Sequence, residues 1–430
     1  MTRCAFLRFL LPLIVLATPA SGQTDGDFFN DDELGELRLY VNSRDWQALH
    51  ERYTENTYYP GDFRWRGMVV RNVGIRSRGA GTRNGRKPGL RVDIDRYASS
   101  QEFLGLKSFV LDNHNSDASM LHERLAMRFF QRMGLPAPRE TPVKLYVNEE
   151  FAGVYSIVES IDKHFLARVF GEHDGHIEND GYLFEYKFHF PYYLSYLGSD
   201  LNLYALLFEP RTHHHDAPAD LWGPIEEMIR TINEDQPLGI VRTLTPLLDV
   251  ELFVRYVAIE TFLAEYDGFL GHWGLNNFYL YRFEATQRSQ LLPWDKDYAF
   301  IVANHSIWSN VENNALVRQL LAVPELRALY LDTLAEAARS AAEPVREKGR
   351  GWLEAEVDRE SAQIHDAAKA DPFRWQPSWL FDLEVDRLRE FAATRSVFVL
   401  CEVEGARDSG QPRSCVAPDR YPLFTPLDEN

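Results

Sequence analysis

Cysteine and positive charge are both scarce in this sequence. There are three cysteines among 430 residues, and no Cys/His pattern has the spacing of a zinc module, so a structural zinc site is not expected. The 46 Lys and Arg face 64 Asp and Glu, which gives a formal net charge of −18 at pH 7. This excess disfavours non-specific binding to nucleic acid or to anionic membrane, because both are polyanions.

Long apolar runs are also missing. One apolar run extends from Phe9 to Ala17, about half of the roughly 20 residues that span a bilayer, and no later segment reaches that length uninterrupted by charge. Arg3 and Arg8 flank its start, and small residues follow it up to Gly22. This pattern predicts a secretory signal peptide over residues 1–22 and an exported protein, periplasmic or extracellular, with no membrane span.

The two cysteines beyond this leader are Cys401 and Cys415. In an oxidising compartment their simplest partners are each other, and the closed loop would stabilise the fold by about 3 kcal/mol. Two separate buried thiols are the alternative. Residues 401–430 are otherwise expected to form a C-terminal tail.

The rest of the chain divides by its hydrophobic periodicity. Residues 23–36 are acidic and predict a short tether. Residues 37–162 contain strand-like runs around a Gly/Arg loop at 78–87, with one amphipathic helix from Leu121 to Met133. Residues 163–400 show longer helical periods, among them Pro246–Tyr266 and Val317–Ala342, with one hairpin formed by Phe278–Tyr281 and Gln290–Leu292. We therefore predict an α+β fold in two lobes.

Polar residues flank the late hairpin. Asp267 closes a helical stretch, Asn277 begins the first strand, and Asp295 follows the second strand, so the three should converge at one sheet edge. Phosphoryl transfer uses such a set: one carboxylate orients or deprotonates the accepting hydroxyl, while another carboxylate and an amide oxygen hold magnesium. Each residue taken alone is also explained by a helix cap or a surface turn, and the order in the chain is the informative part.

Basic residues of the first lobe could neutralise phosphate charge across from these acids. Arg78 and Lys87 belong to the Gly/Arg loop, and Arg91 or Lys107 lies on a nearby strand; a merely solvated loop is the alternative. A helix bearing Glu123 follows. The order of basic hairpin, helix, second hairpin and Asp-Asn-hairpin-Asp is that of a protein-kinase-like fold.

Longer stretches, in unbroken order from about residue 37 to 400, resemble the spore-coat protein H (CotH) kinase family. The stretches that carry the resemblance are 87–95, 105–107, 119–126, 134–139, 146–148 with 153–155, 158–163, 277–281 and 293–297. The resemblance implies an atypical secreted kinase that binds ATP and magnesium and phosphorylates Ser or Thr of a protein. We expect a Ser/Thr-rich protein substrate, no nucleic-acid partner and a monomer.

The resemblance also implies roles for single residues of the helical lobe. Asp267 resembles the catalytic-loop aspartate. Asn277 and Asp295 resemble the metal-binding asparagine and aspartate, and Asp297 could share the metal.

On the first lobe, Arg78 stands where the family has its Arg-Gly phosphate loop. Glu123 falls in the helix that pairs with a phosphate-binding cation, and Glu159 lies where a connector would contact adenine. The sequence departs from the family at Arg91, where Lys is common, and in the loop itself, which reads Arg-Gly-Ala-Gly-Thr instead of Arg-Gly-Asn-Ser-Ser.

Two other functions are compatible with this pattern. One is a catalytically silent kinase-like module used for binding or adhesion. The other keeps the fold and transfers a different group, such as a nucleotidyl group. Both large-lobe aspartates are intact, which favours an active kinase.

Overall fold

The computed structural model describes residues 22–173, 176–235, 237–345, 349–409 and 415. Residues 1–21 of the predicted signal peptide and most of the predicted tail therefore lie outside the described residues. The strands are β1 (Gly35–Val41), β2 (Tyr59–Trp65), β3 (Met68–Arg78), β4 (Gly89–Asp93), β5 (Ser108–Asp112), β6 (Glu140–Val147), β7 (Glu150–Glu159), β8 (Glu172–His173), β9 (His176–Ile177), β10 (Tyr182–Tyr186), β11 (Phe208–Pro210), β12 (Phe278–Arg282) and β13 (Ser289–Pro293).

The helices are mostly in the second half of the chain. They are α1 (Asp25–Phe28), α2 (Ser43–Glu51), α3 (His122–Arg132), α4 (Lys163–Phe170), α5 (Leu201–Leu207), α6 (Pro218–Glu234), α7 (Pro237–Leu244), α8 (Val250–Phe262), α9 (Ala315–Leu321), α10 (Pro324–Ala342), α11 (Trp352–Ala370) and α12 (Ser378–Ser409). The α+β class is thus confirmed, whereas the division into two lobes stays a prediction.

Seven strands of the first half close into a barrel in the order β1-β2-β3-β4-β5-β7-β6. The expected antiparallel meander is present as β2 to β5, and a parallel pairing of β1 with β6 closes the barrel. Alternate residues such as Leu39, Ile75, Val92 and Leu111 fill its interior, because successive strand side chains point to opposite faces. Closure was not predicted, since nothing in a single strand specifies a distant parallel partner.

The prediction of a tether over residues 23–36 is wrong. Thr24 caps the short helix α1, and the Phe28 side chain is buried in the barrel core. Its ring makes edge contacts with Trp65, Phe103 and Phe109 at centroid distances of 5.1–5.3 Å. The segment is acidic on average, so its composition did not indicate that Phe28 and Phe29 are buried. Their burial anchors the segment to the barrel.

A second sheet, in the order β11-β10-β12-β13, packs against the outside of the barrel. The hairpin β12/β13 was predicted, and strands β10 and β11 extend it. Val110 and Val158 of the barrel belong to the same apolar cluster as Tyr279, Leu292 and Trp294. This packing brings the end of β13 to the outer face of the barrel.

Helix α3 agrees with its prediction, but two predicted helices are shorter in the structure. The expected helix Val317–Ala342 is split into α9 and α10, with Pro324 at the start of the second, because proline fits the first turn of a helix and not its interior. Helix α8 ends at Phe262, and Ala264 follows with a positive φ of 52°. The helix therefore stops there, and the chain continues into the loop that contains Asp267.

The C-terminal helix α12 carries Cys401, which forms a disulfide with Cys415, the pairing expected from the sequence. In the described part of the chain, no helix combines the length and apolar character needed to cross a membrane.

Arg395 fixes α12 to the end of α8. Its side chain is fully buried, and its guanidinium donates to the backbone carbonyls of Thr261, Phe262, Ala303 and His305. Burial lowers the pKa of Arg395 to about 9. One side chain thus links carbonyl groups at the end of α8, just before the Asp267 loop, with carbonyl groups at 303 and 305.

We expect Arg395→Met to lower the free energy of unfolding by about 3 kcal/mol or more, because buried carbonyls would lose their donors. Urea unfolding measures this. The matched control is Arg389→Met on the same helix, which removes only partly exposed ion pairs with Asp358 and Asp386 and should cost at most about 1 kcal/mol. Equal unfolding midpoints for the two variants would contradict this role of Arg395.

Candidate functional site

The loop after α8 holds Asp267 in a defined position. Its carboxylate Oδ2 accepts hydrogen bonds from Asn276 Nδ2 at 3.0 Å and from Asn277 Nδ2 at 3.1 Å. Gly268 allows this turn because a Cβ there would lie 2.5 Å from the carboxylate of Glu260. The Asp267 carboxylate, near the start of the loop, is therefore bonded to Asn276 and Asn277 at the end of the loop. It stays partly exposed.

A buried lysine joins this loop to the segment after β13. Lys296 Nζ lies 2.7 Å from Glu260 Oε1 and 2.8 Å from the Asn277 carbonyl oxygen, and its side chain is fully buried. Glu260 also accepts from the Phe269 N–H. Sequence analysis did not single out Lys296, although its position between Asp295 and Asp297 was the available signal.

Asp295 and Asp297 flank this lysine on the side of the barrel. Both side chains are partly exposed, yet loss of hydration is the largest cause that raises the pKa of each carboxyl group. Neighbouring carboxylates raise both pKa values further, whereas Arg78 and Lys296 act to lower that of Asp295.

The segment that carries these two aspartates is also tied to helix α3. His122 Nδ1 lies 3.1 Å from the Asp297 carbonyl oxygen. The loop before α3 contributes Ser116, whose side chain hydrogen-bonds to Asp297.

Arg78 approaches these acids from the barrel. It ends β3, its Nη1 lies 4.0 Å from Asp112 Oδ2, and its guanidinium stacks over the Trp294 ring at 5.5 Å. Burial acts to lower the pKa of Arg78, but the charges of Asp295 and Asp112 outweigh it and raise that pKa. Arg78 therefore lies near Asp295, one of the acids that sequence analysis expected across from the basic loop.

Two further carboxyl groups lie near Asp295 and Asp112. Glu123 of α3 and Glu140 of β6 are buried, and burial followed by neighbouring negative charge raises both pKa values well above normal. Neither Glu140 oxygen has a hydrogen-bond partner among the described residues. Sequence analysis missed Asp112 and Glu140, because an acid at a strand end has no distinctive signal until the barrel places it on the outer face.

The other predicted cations have protein partners elsewhere. Lys87 Nζ lies 2.8 Å from Asp371 Oδ2 and 2.7 Å from the Val154 carbonyl oxygen, in a buried site. Arg91 donates to Ser108 Oγ at 2.9 Å.

The two remaining predicted residues are also held in ion pairs. Lys107 is partly exposed near Asp95 and Glu102, at the other end of β5 from Asp112. Glu159 is buried in ion pairs with Arg139 and Arg168. The structure does not place these residues with the acids around Arg78, and their ligand-binding roles stay predictions.

The donor set suits a hard divalent cation. It consists of carboxylate oxygens with one asparagine amide, and its poorly hydrated negative charge exceeds the positive charge that Arg78 and Lys296 supply. No three His, Cys, Asp or Glu side chains of the described residues are already arranged as a metal site. The residues therefore fit a cation by chemistry, and Asp295, Asp297 and Asn277 are the groups that would hold it.

Comparison with known proteins places the chain in a family. The model of the CotH kinase protein family matches residues 75–399, more than half of the chain, so this protein belongs to the CotH kinase family. It is similar to the inner spore coat protein H of Bacillus subtilis (strain 168), with 23% identity over 381 residues, covering 86% of this chain and 98% of the relative.

A solved structure is similar over much of its length as well. The crystal structure of a Helicobacter pylori proinflammatory kinase, CtkA, shares 9% identity and covers 74% of this chain and 95% of its own, with a TM-score of 0.29.

We expect magnesium to stabilise the protein more at high pH than at low pH. Burial raises the pKa of the two carboxylate ligands, Asp295 and Asp297, above their ordinary value of 3.8, and that of the neighbouring Asp267 from 3.8 to about 6. As pH rises from about 4 to about 8, the unfolded chain loses these protons first, so the folded state becomes less stable. A cation that binds the ionised carboxylates offsets this loss.

Thermal unfolding with and without MgCl₂ checks this expectation. The Mg²⁺-induced rise in Tm should be at least about 2 °C near pH 8 and absent near pH 5, and Asp295→Asn should remove it. Asp366→Asn, which changes a fully exposed carboxylate on α11, should leave it intact. A rise that is equal at both pH values would contradict a cation bound by these carboxylates.

Proposed function

We propose that this protein is an ATP- and Mg²⁺-dependent kinase that phosphorylates Ser or Thr of an envelope or extracellular protein. The observation that carries the proposal is the juxtaposition of Arg78 with Asp295, while Asp267 is held by Asn276 and Asn277 in the adjoining loop. Membership of the CotH kinase family supports the same reading.

Asp267 is the group that would receive the proton of the accepting hydroxyl. Two amide N–H donors fix its Oδ2, which leaves Oδ1 for an incoming hydroxyl. Burial raises the pKa of Asp267 to about 6, so the carboxylate is ionised at neutral pH and yet more basic than an ordinary aspartate. That combination suits general-base or orienting work.

Arg78 and a cation held by the acids opposite it would together neutralise the negative charge of a triphosphate. A bound Mg²⁺ would supply charge neutralisation between the phosphates and the carboxylates of Asp295 and Asp297. Asn277 would offer its amide oxygen to a cation, the only atom of its side chain that can act as a ligand, while its Nδ2 donates to Asp267. Arg78 would bind phosphate oxygens from the barrel side, with its plane oriented by Trp294.

The proposed location rests on residues 1–22, whose composition is that of a secretory signal peptide. The relative from Bacillus subtilis is a spore coat protein, which agrees with a role at a surface. We propose that the bilobal kinase arrangement of the family holds here, with the barrel side and the helical side meeting at the Arg78 site.

A catalytically silent binding protein is the second candidate. The observation that favours it is that Lys87 is enclosed by Asp371 and Val154, so the barrel side presents Arg78 to a triphosphate without a lysine from this loop. Absence of a nucleotide-induced rise in Tm would support this candidate over the kinase.

We expect Asp267→Asn and Asp295→Asn each to lower phosphate transfer by about 100-fold or more, because one removes the proton acceptor and the other a metal ligand. Label from γ-³²P-ATP into a Ser/Thr-rich protein, with Mg²⁺, measures the rate. Mass spectrometry of the product identifies the added group, which separates phosphate from a nucleotidyl group.

The matched control for both variants is Asp366→Asn, an isosteric change at an exposed carboxylate remote in sequence from the site. It should retain full activity. Equal labelling by wild type and Asp295→Asn would show that the transfer does not use this site.

We expect the single-turnover rate of transfer to fall about tenfold per pH unit below roughly pH 6, since protonation of Asp267 removes the base. Above that pH the rate should level off. The profile is recorded at saturating Mg²⁺ and ATP. A rate that stays constant from about pH 7 down to about pH 5 would exclude Asp267 as the titrating base.

A further inference from the structure

Three large aromatic side chains are exposed on the Asp267 loop and on the chain segment after β10 that contacts it. Phe188, Phe190 and Trp273 have 43%, 41% and 44% of their surface accessible to solvent. We call these three residues the aromatic surface. Clustered exposed apolar groups mark interaction sites, because leaving them in water is unfavourable unless a partner covers them.

The aromatic surface belongs to two loops that are in direct contact. The Leu275 N–H donates to the Tyr192 carbonyl oxygen at 2.9 Å, and the Tyr193 hydroxyl lies 3.3 Å from the His272 carbonyl oxygen. A Cβ on Gly274 would lie 2.7 Å from Tyr192 N. Phe190 and Trp273 therefore stand next to backbones that touch, so their relative position is fixed by the fold.

The same surface is continuous with the site that contains Asp267. Tyr266, the residue before Asp267, stacks on His272 at a centroid distance of 4.7 Å and makes an edge contact with Trp273 at 5.3 Å. Trp273 also approaches the ring of Tyr298 at 6.1 Å, the residue after Asp297. A chain that presents a hydroxyl to Asp267 would run along these rings.

The charges next to the aromatic surface limit which kind of peptide could bind there. The aromatic surface contains no carboxylate, while the adjoining site is strongly acidic at Asp267, Asp295 and Asp297. An acidic peptide would be repelled there. Aromatic and aliphatic side chains would be favoured, because apolar contact with exposed rings removes surface from water on both partners.

We propose that the aromatic surface binds the acceptor polypeptide and selects aromatic or aliphatic residues next to the phosphorylated Ser or Thr. This inference rests on the proposed kinase function for the identity of its substrate. Trp273 would act as the central contact, with Phe190 and Phe188 extending the surface along the peptide.

The test uses two fluorescein-labelled synthetic peptides of equal length and charge. One has a serine flanked on both sides by phenylalanine, and the other has glycine in those positions. Fluorescence anisotropy measures binding to the full chain, and initial rates with ATP and Mg²⁺ give kcat/KM. Wild type should prefer the phenylalanine peptide by about tenfold in both measurements.

Trp273→Ala and Phe190→Ala should each reduce this preference severalfold, and Trp273→Phe should retain part of it. Trp379→Ala is the matched control, because Trp379 is 63% exposed on α12 and should leave the preference unchanged. The far-UV circular dichroism spectrum and the urea unfolding midpoint should be close to those of wild type in all four variants, which reports that each has folded.

The outcomes separate this inference from the proposed function. Transfer at equal kcat/KM to both peptides, or a preference unaffected by Trp273→Ala and Phe190→Ala, would overturn the role of the aromatic surface and leave the kinase proposal intact. A binding preference that depends on Trp273 without any phosphate transfer would support the peptide site and overturn the kinase proposal.

Discussion

The candidate site depends on holding several carboxyl groups close together where water cannot hydrate them fully. Asp295, Asp297, Glu123 and Glu140 all have raised pKa values, and burial is the largest cause for each. Such a cluster destabilises the folded state as its members ionise. The surrounding structure must therefore offset the free-energy cost of placing these acids close together. Binding of a cation between them would account for the arrangement.

Buried ion pairs hold the elements that carry the acids. Lys296 joins Glu260 to the backbone of Asn277, and Arg124 of α3 pairs with Glu360 of α11 at 2.8 Å. The pair of Lys87 and Asp371 fixes the Gly/Arg loop to the chain after α11. Breaking any of these pairs would leave an uncompensated buried charge, so they constrain the elements around the site strongly.

Local patterns in the sequence were sufficient to predict the elements that carry several of the candidate residues. The hairpin β12/β13 placed Asn277 and Asp295 near one another, and the end of α8 placed Asp267 in the adjoining loop, because strand alternation and helix termination are short-range effects. Arg78 lies near Asp295 in the structure, and its role in binding phosphate stays a prediction. The fate of Lys87 could not be foreseen, because its partner Asp371 is remote in the chain and no local pattern links the two.

The sequence by itself determined the α+β class, helix α3, the hairpins, the family and the catalytic candidates, since these follow from periodicity and short motifs. Only the tertiary structure decided that β1 pairs with β6 to close a barrel, that Phe28 fills it, and that Asp112 and Glu140 join the acidic site. These features arise from contacts between distant segments. Such contacts depend on how whole elements pack, and a residue's neighbours in sequence do not record them.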